Sequence, residues 1–234
     1  MTVEKVALVT AAGKGMGAAI ARDLASNGYR VALMSPSGSA VELAKELGGF
    51  GVAGSVTEDA DIARFVNETL AKYGRIDAVV NNTGHPPKGD LLSIGDDKWH
   101  EGLDLIVLNV ARVLRRVTPV FLKQGGGAVV NISSFAADAP EQAMPVSSAL
   151  RAALSAFTRL YADRYAKDNI RINSVLPGFI DSWPETPEIV ARIPAGRFGK
   201  TQEIAQTVTF LLSEGAGYIT GQNIRVDGGI VRAL

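Results

Sequence analysis

The stretch Val6-Ala-Leu-Val-Thr10-Ala-Ala-Gly13-Lys-Gly15-Met-Gly17-Ala-Ala-Ile-Ala21 decides the fold of this chain. Its apolar start predicts a buried strand, and the run that begins at Ala18 has the composition of a helix. The three glycines between them permit backbone angles closed to other residues and let a ligand approach the main chain. Because the free N–H groups of a first helical turn favour phosphate, Gly13-x-Gly15-x-x-Ala18 fits a dinucleotide-binding turn. A tight turn without a ligand is the alternative.

Bulk composition narrows the class of protein. A chain of 234 residues that is 47% hydrophobic suits one α/β domain, residues 1–234. The formal net charge is zero and no basic tract occurs, so nucleic acid is not an expected partner. No cysteine and only two histidines argue against disulfides and a metal site. No signal peptide or membrane-length apolar run is found, so we expect a cytoplasmic protein without membrane association.

Apolar β-type runs alternate with helical patterns along the chain. The predicted strands are Lys5–Thr10, Arg30–Met34, Gly51–Ala53, Asp77–Asn81, Ala128–Ile132, Arg171–Val175 and Asn223–Val226. The predicted helices cover residues 16–27, 39–47, 58–73, 97–123, 144–167 and 201–213. Short Val/Ile/Ala runs are typical of strands buried on both faces. We therefore expect a single Rossmann-type, doubly wound parallel sheet of about seven strands with helices on both faces.

Several motifs follow these strands in order, and together they resemble the short-chain dehydrogenase/reductase family over nearly the whole chain. Thr10–Gly17 resembles the family's TGxxxGxG, with Ala11 in place of the first glycine. The other matching segments are Asn81-Asn82-Thr83-Gly84 (NNAG in the family), Leu108-Asn109-Val110, Val130-Asn-Ile-Ser-Ser134, Pro177-Gly-Phe-Ile-Asp-Ser182 and Val226-Asp-Gly-Gly229.

The resemblance implies an oxidoreductase that binds a nicotinamide dinucleotide and a small-molecule substrate. The residues expected at the cofactor are Thr10, Gly13, Lys14, Gly15, Met16, Gly17, Ser35, Asn82, Gly84, Arg151, Pro177, Gly178, Ile180 and Ser182. The residues expected at the reacting atoms are Ser134, Ser147, Arg151 and Asn109.

Two of these residues depart from the family pattern. The family's catalytic YxxxK falls on Ser147 and Arg151, thirteen residues after Ser134. In the family, the tyrosine hydroxyl exchanges a proton with the substrate oxygen, and the lysine lowers its pKa and binds the nicotinamide ribose. A serine hydroxyl is a weaker acid and shorter, whereas arginine keeps the positive charge with a planar fork of donors. Ordinary carbonyl reduction is therefore expected to be weakened or rerouted.

Several hypotheses follow from this departure. Ser134 and Ser147 with an ordered water can polarise a carbonyl, and His85 either reaches the mouth of the pocket as a proton donor or lies in solvent. The leading function is an oxidoreductase with atypical proton transfer, and the alternative is a catalytically impaired homologue that serves as a sensor or partner subunit. A third alternative comes from the halohydrin dehalogenases, which are similar to this family, carry Ser-Tyr-Arg and use no dinucleotide.

The choice of cofactor depends on the end of the second strand. NAD-preferring sites place Asp or Glu there to bind the adenosine ribose. Ser35 stands at that position, and the segment Leu33–Gly38 contains no acid. Lys14 occupies a position where NADP-preferring family members often carry Arg or Lys. NADP is therefore the expected cofactor, and NAD is the alternative.

Two further regions concern the substrate and the assembly. Residues 179–198 normally form the family's substrate lid, and here they include Trp183 and a proline-rich run.

The helices 97–123 and 144–167 carry more apolar residues than one core stripe needs. In helix 97–123, the residues expected outside the stripe are Leu105, Leu108, Val113 and Val120. Since the family often assembles through these two helices, we expect a homodimer or homotetramer.

Overall fold

The computed structural model describes residues 4–232, and its centre is one parallel sheet. Within these residues the sheet has seven strands, in the order β3-β2-β1-β4-β5-β6-β7. The strands are β1 Val6–Thr10, β2 Arg30–Ser35, β3 Phe50–Ala53, β4 Ala78–Asn81, β5 Gly127–Ile132, β6 Ile170–Pro177 and β7 Asn223–Val226. All six neighbouring pairs are parallel. The expected Rossmann-type fold class is confirmed.

Helices connect the strands and cover both faces of the sheet. The α-helices of the described residues are α1 Gly15–Ser26, α2 Ser39–Glu46, α3 Asp59–Tyr73, α4 Asp96–Leu103, α5 Asn109–Gln124, α6 Pro145–Tyr165, α7 Pro187–Val190 and α8 Thr201–Leu212. One apolar core lies on the side of α1, α2 and α8, and the other on the side of α3, α5 and α6. No helix within residues 4–232 is long and apolar enough to cross a membrane.

The predicted helix 97–123 is interrupted. A π-helical turn, Asp104–Leu108, separates α4 from α5. A π turn accommodates an extra residue, which hydrophobic spacing does not reveal. The Asn109 side chain donates to the Leu105 carbonyl across this turn. The prediction of helix 144–167 also needs correction at its end, because the α-helix ends at Tyr165 and a 3-10 turn follows over Ala166–Asp168.

The apolar residues assigned to the outer face of helix 97–123 are not all outside the core. Val113 is 2% exposed and packs in the α3–α5–α6 core, so its assignment is wrong. Val113 lies three residues after Val110 and four before Val117, so it shares their helix face. On α6, by contrast, Leu160 is 70% exposed.

A reciprocal pair of hydrogen bonds joins the ends of β1 and β4. The Thr10 hydroxyl donates to the Asn82 carbonyl oxygen at 2.7 Å and accepts from the Asn82 N–H at 2.9 Å. The Asn82 side-chain amide donates to the Ala11 carbonyl at 3.2 Å. These bonds hold the glycine turn after β1 against the loop after β4.

Thr10→Val removes this hydroxyl and keeps the side-chain shape. We expect the free energy of unfolding to fall by about 1–3 kcal/mol, because a buried N–H and carbonyl lose their partner. Denaturant unfolding measures the effect. Thr207→Val is the matched control, since the Thr207 hydroxyl only donates to a helix carbonyl four residues earlier. Equal loss of stability in the two variants would contradict the bridging role of Thr10.

Candidate active site

The glycine turn lies at the carboxyl end of β1, next to β4, where the strand order reverses direction and where α/β sheets bind ligands. A Cβ added at Gly17 would lie 2.3 Å from the Ala11 carbonyl oxygen and 2.8 Å from the Asn82 amide nitrogen. Gly15 has a φ of 55°, in the left-handed region that favours glycine. Ala11, at the position of the family's first glycine, also has a positive φ, of 47°. The turn is therefore tightly closed on its own backbone.

The first turn of α1 is available to an anion. Within residues 4–232 no side-chain hydrogen bond caps this turn, and Lys14, at the N-cap, is exposed. Uncapped N–H groups and the helix dipole both favour a phosphate there. The side chains of Thr10 and Asn82 are used within the protein, so their contribution is to shape the turn.

Three serines between the end of β2 and the start of α2 lie beside this turn. A Cβ on Gly13 would lie 2.0 Å from the Ser39 hydroxyl and 2.9 Å from the Ser35 hydroxyl. Ser35 is buried; its hydroxyl donates to the Ser37 carbonyl and accepts from the Ala40 N–H. The exposed hydroxyls of Ser37 and Ser39 lie 2.7 Å apart. Sequence reasoning identified only Ser35, although the alternating serines at the start of α2 were a visible signal.

A cavity of about 300 Å³ extends from the glycine turn to the lid. The predicted site residues that line it are Met16, Asn82, Gly84, Ser134, Ser147, Arg151, Pro177 and Gly178. Ile180 instead packs in the apolar core at 3% exposure. Ser182 is exposed and approaches the turn, since a Cβ on Gly15 would lie 3.6 Å from the Ser182 Cβ.

A second cleft, of about 330 Å³, contains none of the predicted site residues. It lies at the amino-terminal end of the sheet. Its charged lining has partners within the protein: Arg75 pairs with Asp77 at 2.6 Å, Lys5 pairs with Glu214 at 3.0 Å, and Arg171 donates to the Leu211 carbonyl at 2.7 Å. The chemistry-bearing residues belong to the first cavity.

Hydroxyl groups are concentrated in that first cavity. The Ser134 oxygen accepts from the Ala136 N–H at 3.2 Å, and the Ser147 oxygen accepts from the Arg151 Nε at 3.2 Å. Both hydroxyl protons therefore remain available to a ligand. The buried hydroxyls of Ser133 and Thr83 have no hydrogen-bond partner within residues 4–232. Because buried polar atoms are usually paired, these two groups indicate that a polar ligand belongs there. Both lie in segments that match family motifs, but neither was predicted as a site residue.

Arg151 lies beneath Ser147, one turn along α6. Its Nη1 donates to the Ile132 carbonyl at 2.9 Å, at the end of β5. The side chain is 7% exposed, and no carboxylate of residues 4–232 pairs with it. Burial alone lowers the pKa of Arg151 to about 10, so the guanidinium stays charged at neutral pH.

Asn109 is buried at the junction of the π turn and α5, outside the residues that line the cavity.

A chain of hydrogen-bonded polar side chains lies beneath the cavity. The Asn81 amide donates to Asn131 at 2.9 Å, and the Asn131 amide donates to Thr158 at 3.0 Å. The Thr158 hydroxyl lies 3.2 Å from that of Ser174. These contacts join β4, β5, β6 and α6 under the site.

Three side-chain contacts close the outer end of the cavity. The ring of Trp183, in the lid, meets that of His85 edge-on at 4.6 Å, and the Lys88 Nζ lies 4.3 Å from the Trp183 ring centroid. On the other side, Arg192 of the lid pairs with Glu141. His85 thus lies at the cavity mouth, exposed but against Trp183.

The electrostatic environment of His85 is positive. Partial desolvation is the largest cause of the lowered pKa of His85. The positive charges of Lys88, Arg151 and Lys14 lower this pKa further. His85 is therefore neutral at pH 7, with one ring nitrogen free to accept a proton.

The sheet order and the glycine turn define a Rossmann-type α/β protein. A family model described as enoyl-(acyl carrier protein) reductase matches residues 10–231. The 3-oxoacyl-(acyl-carrier-protein) reductase FabG of Staphylococcus aureus (strain Mu50) is 34% identical over 98% of this chain and 99% of its own length. The enzyme of the same name from Thermotoga maritima is 34% identical over 97% of this chain and 98% of its own.

Solved structures agree with these relatives. The L-sorbose reductase of Gluconobacter frateurii, complexed with NADPH and L-sorbose, has a TM-score of 0.89 and 28% identity, covering 98% of this chain and 97% of its own. A Burkholderia xenovorans structure described as that of a short-chain dehydrogenase/reductase has a TM-score of 0.89 and 32% identity, covering 99% and 98%. The chain belongs to the short-chain dehydrogenase/reductase family of oxidoreductases.

Replacing Lys88 by methionine should raise the pKa of His85. The substitution removes a positive charge that disfavours protonation of the imidazole. Titration of the His85 ring by NMR measures this shift. Lys98→Met is the matched control, because Lys98 is paired with Glu101 at 2.8 Å on α4. If His85 titrates at the same pH in all three proteins, Lys88 does not act on it.

Proposed function

We propose that this chain is an NADP(H)-dependent reductase of a small carbonyl compound, with a proton transfer that does not use tyrosine. The observation that carries the proposal is the closed glycine turn, which opens directly onto a cavity lined by free hydroxyl protons and a buried cation. All 234 residues are assigned to one dinucleotide-binding domain. The substrate is a small molecule, and no nucleic acid or membrane takes part.

The residues present fit a dinucleotide phosphate. The first turn of α1 is uncapped. The glycine segment that leads into it has no room for a Cβ at Gly13 or Gly17. Lys14 and the exposed hydroxyls of Ser37 and Ser39 offer a cation and donors to a 2′-phosphate, and no carboxylate occurs in residues 35–39. NADPH in the related L-sorbose reductase supports the same preference. When bound, NADPH supplies the hydride.

Proton transfer to the carbonyl oxygen falls to the cavity hydroxyls. Ser134 and Ser147 each have an oxygen that already accepts one bond, so each donates its proton towards the substrate. After the transfer, the serine oxygen has to regain a proton, and water at the cavity mouth, where His85 lies, supplies it in this proposal. Arg151 lowers the energy of the negative charge that develops on the oxygen.

Asn109 acts through the backbone in this proposal. Its side chain fixes the π turn by donating to Leu105, and a π turn commonly marks a functional site. We assign Gly84, Pro177 and Gly178, which line the cavity, to the walls of the nicotinamide site together with the exposed Ser182, and Ile180 anchors this segment through its buried side chain. Binding of NADPH without turnover on any carbonyl compound would favour the sensor or partner-subunit alternative.

Assembly through α5 and α6 is also proposed. Leu122 is 47% exposed and Leu160 is 70% exposed, one on each helix. These side chains offer apolar surface to a second copy of the chain, as a homodimer or homotetramer. Light scattering at micromolar concentration tests this assembly, and a monomeric mass would contradict it.

The first test of the proposed cofactor is binding of NADPH and NADH to the purified protein. NADPH at a hundred times its Kd should stabilise the fold by about 2.7 kcal/mol. Lys14→Ala should weaken NADPH about tenfold and leave NADH nearly unchanged, because it removes a charged contact to the 2′-phosphate. Lys45→Ala, on α2 and paired with Glu42, is the control. Failure of both dinucleotides to bind would overturn the proposed function.

The second test introduces the tyrosine and lysine that the family carries at these two positions. Ser147→Tyr combined with Arg151→Lys should raise kcat for a carbonyl panel by about 10²–10⁴, since positioned proton transfer contributes that much. Ala149→Tyr is the matched control, because it places a tyrosine on the exposed face of α6. A folded double variant that binds NADPH and gains no turnover would show that the lost pair does not limit the reaction.

A further inference from the structure

Arg151 has unused hydrogen-bonding capacity inside the cavity. A guanidinium carries five N–H donors. Two of them bond the Ser147 hydroxyl and the Ile132 carbonyl, and Nη2 has no hydrogen bond to any residue of 4–232. A buried cation with no anionic partner is costly, and its usual partner is a carboxylate in the planar arrangement that a guanidinium matches.

The other charged residues around the cavity do not pair with Arg151. Glu141 is the one carboxylate among the lining residues within 4–232, and it is paired with Arg192. Lys88 is placed against Trp183, and neutral His85 adds no negative charge. Counting Lys88, Arg151 and Arg192 against Glu141 gives the lining a net charge of 3 − 1 = +2.

The remaining walls define the rest of the ligand. The hydroxyls of Ser133 and Thr83 are buried and have no hydrogen-bond partner within residues 4–232. A carboxylate or carbonyl oxygen of a ligand can accept a hydrogen bond from them. Met144, Phe179 and Ile189 supply apolar surface in the same cavity. A dianionic phosphate would require more than the one unpaired buried cation, whereas a monoanion with an apolar body matches both features.

We propose that the substrate is a small oxo- or hydroxycarboxylate with an apolar body, and that Arg151 binds its carboxylate. This inference rests on the proposed function. In the reaction the carboxylate stays unchanged: the ketone carbon accepts the hydride from NADPH, and its oxygen accepts a proton to become a secondary alcohol. Arg151 thus selects acids over neutral carbonyl compounds, a task that the family's lysine position does not need.

Benzoate and benzamide form the test pair, because they share a shape and differ in charge. Each is titrated by calorimetry against the full chain, with and without saturating NADP. We expect benzoate to bind at least about tenfold more tightly than benzamide, as a charged hydrogen-bonded pair gives. Arg151→Met should abolish this preference, and Arg151→Lys should retain part of it. Arg115→Met, on the exposed face of α5, should leave it unchanged.

The outcomes separate this inference from the proposed function. If NADP binds and the two ligands bind equally, the carboxylate assignment is overturned while the reductase proposal stands. If benzoate is preferred and NADP does not bind, the carboxylate site stands and the reductase proposal falls. Should Arg151→Met fail to fold by circular dichroism, the wild type and Arg151→Lys decide. A benzoate preference that persists unchanged in a folded Arg151→Met protein also overturns the assignment.

Discussion

The closure of the glycine turn onto β4 is the constraint on which the site depends. Thr10 and Asn82 exchange hydrogen bonds across the two strand ends, and Gly17 lies so close to Ala11 and Asn82 that a Cβ does not fit. Because these hydrogen bonds are buried, breaking one leaves a polar group without a partner, which is costly in free energy. The uncapped amino-terminal end of α1 follows at the carboxyl end of β1, beside β4.

Arg151 dominates the electrostatics of the cavity. It lies on α6 and reaches back to the Ile132 carbonyl at the end of β5. No protein anion neutralises its charge within residues 4–232. A site built in this way is better suited to binding and stabilising negative charge than to donating a proton. We therefore expect the charge of a compound to decide whether it is a substrate.

The lid is held on two sides by contacts of different kinds. Trp183 lies between His85 and Lys88 of the loop after β4, while Arg192 pairs with Glu141 of the loop before α6. Aromatic and cation–π contacts are short-ranged, whereas an ion pair at the surface is weakened by salt. The cavity mouth thus joins three separate loops of the chain, and its polarity depends on all of them.

Local patterns in the sequence determined the strands, most helices and the glycine turn, because apolar periodicity and glycine spacing act over a few residues. They also predict that Ser147 and Arg151 stand where the family carries its catalytic tyrosine and lysine. The π turn before Asn109 is seen only in the tertiary structure, whereas the burial of Val113 follows from its spacing to Val110 and Val117 on one helix face. The unpaired state of Arg151, the bare hydroxyls of Ser133 and Thr83 and the contact of His85 with Trp183 arise only when β4, β5, α6 and the lid converge. Such contacts join residues far apart in the chain, and only the tertiary structure brings them together.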